Sequence, residues 1–182
     1  MKPASACVSM CLVAVLIAAQ LNAQPKDVDG WQNIKWGMSV AEARAALGSQ
    51  ASEPTEESGP NVVLIKRLLI ENITIGDFLC KAALQTKRGS DAISAVTISL
   101  PSMRDPPDHR GHVFDSLKRS LIEKYGQPKS EDRRAEGGDV ESIILWTFPS
   151  TSITLRRVEG SRGFGYVNIE YRAVDKKAID AL

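Results

Sequence analysis

The chain has 182 residues, 43% hydrophobic and 25% charged, with a formal net charge of +1. That is the composition of a globular protein with a core, and so even a balance of sign gives no electrostatic case for nucleic acid or an anionic membrane surface. Of the three cysteines, Cys7 and Cys11 lie in the first 23 residues, so only Cys80 remains beyond them and no intrachain disulfide is expected.

Residues 1–23 carry Lys2, an apolar run from Cys11 to Ala19 and a small residue at Ala23 before a polar stretch, the pattern of a secretory signal peptide cleaved after Ala23. The uncharged run from Pro3 to Ala19 is 17 residues, whereas a membrane span needs about 20 apolar residues. Retention of the leader as an N-terminal anchor is the alternative. Cleavage would leave a mature chain of 159 residues with 22 basic and 22 acidic side chains, localised to the periplasm or secreted, with no stable membrane insertion.

The segment Trp31–Gly48 contains a helix with both ends marked. Ser39 and Glu42 form a capping box, in which the Ser hydroxyl accepts from the Glu42 N–H while the Glu carboxylate reaches back to the Ser39 N–H. Gly48 supplies a left-handed stop, so Val40 to Leu47 is expected to be helical. Ser49 to Pro60 is polar, contains two prolines and reads as a loop. Strands follow at Val62–Ile70, at Asp77–Thr86, led into by Asn72–Gly76, and at Ala92–Leu100. In the second of these Phe78, Cys80, Ala82 and Leu84 form an apolar row opposite Leu79, Lys81, Ala83 and Gln85.

Pro101 to Gly111 reads as a proline-rich connection. From His112 to Tyr125 the residues Val113, Phe114, Leu117, Leu121 and Ile122 recur at helical spacing, and Gly126 and Pro128 close the helix. Glu131 to Asp139 reads as a charged loop, followed by strands at Ser142–Phe148, Ser152–Val158 and Phe164–Val174. Both halves therefore run helix, Gly stop, polar loop and three strands, with Gly48 and Gly126 offset by 78 residues. The expected fold is α+β, with two αβββ-like halves, 24–103 and 104–182, in one compact domain. An antiparallel sheet would carry helices on one face and leave the other solvated.

The pattern Trp36-Gly-Met-Ser39, Glu42-Ala43, Leu47-Gly48, Leu121 to Tyr125-Gly126-Gln-Pro128, Trp146 and Ile169-Glu-Tyr171 resembles a group of small exported bacterial proteins with no assigned activity. The element order is also similar to the β-lactamase-inhibitor-protein-like fold and to the SmpA/OmlA outer-membrane assembly lipoproteins. That resemblance implies binding to other proteins without catalysis. The chain departs from the lipoproteins in lacking a lipobox cysteine.

For chemistry, Asp105, Asp108, His109 and His112 lie within eight residues and include metal-ligating types. They make a weak metal site, because His109 and His112 flank a glycine at a loop-to-helix junction and Asp108 suits a helix cap. Cys80 sits on an apolar strand face, where an inert buried thiol is expected. Gly160 to Gly165 joins strands and does not open a helix, so it lacks a phosphate cradle. No catalytic set and no cofactor motif is present. Trp36 and Trp146 are expected in the core and Trp31 at the surface. The best interface candidates are Lys81, Gln85, Asn168 and Arg172, on the faces opposite the apolar rows, together with Trp31. A partner from the bacterial envelope is the expected ligand class.

Overall fold

The computed structural model describes residues 27–55, 62–100, 107–160 and 164–175. The leader and Asp105 lie outside these segments, as does the side chain of Asp108.

A short hairpin, β1 (Gly30–Trp31) with β2 (Ile34–Lys35), precedes helix α1 (Val40–Leu47). The capping box forms as the sequence requires: the Glu42 N–H donates to Ser39 Oγ at 3.2 Å and the Ser39 N–H donates to Glu42 Oε2 at 2.8 Å. Gly48 ends the helix, but not in the left-handed helical region. Its φ of 57° and ψ of −133° lead into a tight turn of Gly48–Gln50, a conformation open to glycine because it has no Cβ.

Beyond α1 the elements run β3 (Ala51–Ser52), β4 (Leu64–Ile75), β5 (Phe78–Lys87), β6 (Ile93–Ser99), α2 (Pro107–Tyr125), β7 (Ser130–Glu136), β8 (Asp139–Thr147), β9 (Thr151–Glu159) and β10 (Gly165–Ala173). All strands after β2 join one antiparallel sheet in the order β3-β4-β5-β6-β10-β9-β8-β7. Each helix is thus followed by a run of strands, and the last strands of the two runs, β6 and β10, pair at the sheet centre.

Further expectations are corrected: Ala51–Ser52, inside the run 49–60 read as loop, is strand β3 because it pairs with Leu69 and Ile70 of β4. Residues 107–111 are helical, so α2 starts five residues before His112. Pro107 suits the first helical position, where its missing N–H has no intrahelical acceptor to satisfy. The charged run 131–136 is strand and not loop; Gly137 and Gly138, with φ of 60° and 89°, form the two-residue turn that folds β7 back on β8. Trp31 is buried at 7% exposure, because the N-terminal segment folds back against the sheet.

Register explains the core. One row across the sheet is Ile70, Ala82, Ile98, Ile169, Leu155 and Ile144, and the next is Leu68, Leu84, Val96, Tyr171, Ile153 and Trp146. All twelve are buried. Helix α2 lays Val113, Phe114, Leu117 and Leu121 on this face over β9 and β10, and α1 contributes Ala43 and Leu47 against β4. A single cluster draws on both helices and both strand runs. Alternation sends the intervening residues to the other face, away from this core.

Candidate functional site

Two surfaces could receive a partner. The first is the sheet face opposite the helices. Lys81, Ser99, Asn168 and Arg156 are register partners across β5, β6, β10 and β9, and Gln85, Ala95, Arg172 and Ser152 form a parallel row four residues away on the same face. The structure thus brings Lys81, Gln85, Asn168 and Arg172 onto one face. It places Trp31 on the other.

The charges on this face are already paired. Lys81 meets Glu71 at 2.7 Å, Arg172 meets Glu170 at 2.5 Å and Arg156 meets Glu141 at 3.2 Å. Thr97 Oγ1 donates to Gln85 Oε1 at 2.9 Å. Such solvent-exposed pairs contribute little stability, about 0–1 kcal/mol each. They can therefore be exchanged for a partner's charges at small cost.

The second surface is a groove of about 610 Å³ between the N-terminal segment, the end of β4, helix α2 and β10. Trp31, Ile73, Leu117, Leu121 and Ile169 supply apolar walls, and Tyr125 and Tyr171 supply hydroxyls. The Tyr125 hydroxyl lies 3.4 Å from that of Tyr171. Burial, reinforced by the Tyr125 phenol, holds the Tyr171 hydroxyl far above the usual phenol range, so it remains neutral and accepts from the Tyr125 hydroxyl.

The groove's outer wall is held by polar contacts to the β8–β9 turn. The Ser150 N–H and hydroxyl both donate to the Asp27 carboxylate, at 2.9 and 2.7 Å. Buried Thr151 accepts from Trp36 Nε1 at 2.6 Å while its hydroxyl donates to the Val28 carbonyl. Trp146 makes the comparable bond on the other side of the core, Nε1 to the Gly126 carbonyl at 2.9 Å.

The remaining chemical candidates separate. His109 and His112 are both exposed, one turn apart on α2. Among the described residues no three His, Cys, Asp or Glu side chains are grouped to hold a metal. Cys80 is buried at 1% exposure, and burial raises its thiol above the ordinary value, which lowers its thiolate fraction at neutral pH.

Sequence reasoning missed two arginines. Arg110, in a segment read as loop, is 3% exposed beneath α2, and Arg157 lies against Gly111 and pairs with Glu159. The signal was available: Arg110, Val113, Leu117 and Leu121 continue one helical stripe N-terminally. No protein-family model, no curated protein and no solved structure matches the chain. Among the described residues no helix is long and apolar enough to cross a membrane.

Proposed function

We propose that the protein is an exported, non-catalytic module of the bacterial cell envelope that binds another envelope protein through the open face of its sheet. The observation that carries this reading is the alignment of Lys81, Gln85, Asn168 and Arg172 on one sheet face, opposite the face on which the helices pack. Such a face offers many weak polar contacts on a rigid support, the make-up of an interface rim. Pull-down from envelope extract with Lys81→Glu and Arg172→Glu tests it. A partner captured by wild type and lost from the double variant supports the face; undiminished recovery removes it. Export is tested separately by N-terminal sequencing, with Gln24 as the expected first residue.

The fold is further read as a duplication, α1 to β6 repeated as α2 to β10. Support comes from the shared order of helix then antiparallel strands and from the central β6–β10 pairing. With β3 and β7 counted, each half has a fourth strand beyond the αβββ pattern. Superposing the halves tests the reading, which fails if the helices and three long strands do not overlay together.

A second reading, a carrier of a small amphipathic ligand, is favoured by the groove beside Trp31 and Tyr171. Native mass spectrometry of protein taken from its host would reveal such a ligand, and Ser120→Trp should displace it. A metal role for His109 and His112 is tested by metal analysis before and after His112→Ala.

A further inference from the structure

Strand β7 closes one edge of the eight-stranded sheet. It pairs with β8 from Ser130–Leu145 to Glu136–Asp139 without a register shift, and all seven of its residues are exposed. It carries no proline and no bulge, two of the devices by which edge strands avoid pairing. Among the described residues no strand pairs with its other side, which presents a straight row of backbone donors and acceptors.

Charge is the remaining guard, and it is arranged in a self-matching way. Asp132 and Arg134 point to the open face, as do Ser130 and Glu136, while Glu131, Arg133 and Ala135 point to the helix-bearing face. Antiparallel pairing of β7 with its own copy about a two-fold axis normal to the sheet places residues of the same face opposite one another. The register that uses all seven residues is centred on Arg133. It sets Asp132 of each copy against Arg134 of the other, twice, and Ser130 against Glu136. The two Arg133 side chains meet at the axis, each flanked by Glu131 of its own strand and of the partner copy. A neutral or uniformly charged foreign strand finds no such match.

We propose that β7 pairs with β7 of a second copy of this chain in this register, joining two eight-stranded sheets into one. The open faces of the two copies then run on without a break across Asp132 and Arg134. The contact is a weak, concentration-dependent dimer, since it rests on one strand pair. It does not depend on any envelope partner, so its outcome is separate from that of the proposed function.

Sedimentation of the purified protein over a range of concentrations tests it. Wild type is expected to shift from monomer to dimer. Asp132→Arg sets Arg against Arg, and Arg134→Asp sets Asp against Asp, so each variant alone should dimerise at least about tenfold more weakly. Mixed in equal amounts, the two variants restore both opposite-charge pairs and should recover a one-to-one dimer. That recovery also shows that neither variant is misfolded. A wild type that stays monomeric, a dimer unaffected by either variant, or a mixture no more associated than its components overturns the proposal.

Discussion

Two glycines at the junction of α2 with the sheet should respond in opposite ways to the same added methyl group. A Cβ at Gly165 would lie 2.5 Å from the Val158 carbonyl oxygen and 2.8 Å from Arg110 Nε. The first contact is with backbone across the β9–β10 ladder and cannot be relieved by a rotamer change, so Gly165→Ala should cost about 1–3 kcal/mol by overpacking. At Gly111 a Cβ would meet the end of the Arg157 guanidinium at 3.4 Å, a side chain that can yield. Alanine there also improves an interior helical position by up to about 1 kcal/mol. For a chain of this size about 1 kcal/mol moves Tm by 2–4 °C. Thermal unfolding followed by far-UV circular dichroism should show Gly165→Ala lowered by about 2–12 °C, with Gly111→Ala unchanged or slightly raised. Equal losses in the two variants, or an unaltered Gly165→Ala, would refute this account of how α2 is seated.

Further outcomes are expected. Ser39→Ala removes the cap that accepts from the Glu42 N–H, and urea unfolding should show a loss of about 1 kcal/mol. The Ser39 backbone N–H and, after it, the Ser39 hydroxyl donate to the Glu42 carboxylate and lower its pKa; Ser39→Ala keeps the first bond and loses the second, so only the hydroxyl's share of the deficit, present above the usual carboxylate range, should fade as pH falls. Leu117→Ala empties a site 1% exposed beneath α2 and should cost about 2–5 kcal/mol in the same assay. Cys80 should resist a thiol reagent at pH 8 until urea unfolds the chain, and rapid labelling of the native protein would contradict its burial. Tyr171 is kept neutral by burial in the folded state while the unfolded phenol ionises near its ordinary value of about 10, so stability should fall as pH rises past that point. Tyr171→Phe should flatten that alkaline decline.

The elements legible in the sequence are those whose signal is local. Ser39, Glu42 and Gly48 bound α1 at the observed residues, because a capping box and a glycine stop act within a few positions. Alternation in β5 and β10 assigned Cys80, Ala82, Ile169 and Tyr171 to the core and Lys81 and Arg172 to the other face, since a strand reverses sides at every residue. Strand β7 escaped notice for the same reason: with both of its faces exposed, no apolar period marks it, and only its ladder with β8 makes it a strand. The start of α2 was hidden by prolines, which break a helix inside but are tolerated at its first turn.

What only the tertiary structure decided is which distant segments meet. The side-by-side placement of β6 and β10 puts Lys81, Asn168 and Arg172 on one surface, a relation no window of sequence contains. The fold-back of residues 27–31 onto Ser150 and Thr151 buries Trp31 and walls the groove against α2. Local pattern determined which side each residue turns toward the core. Long-range pairing, which depends on the whole chain closing on itself, determined what lies beside it.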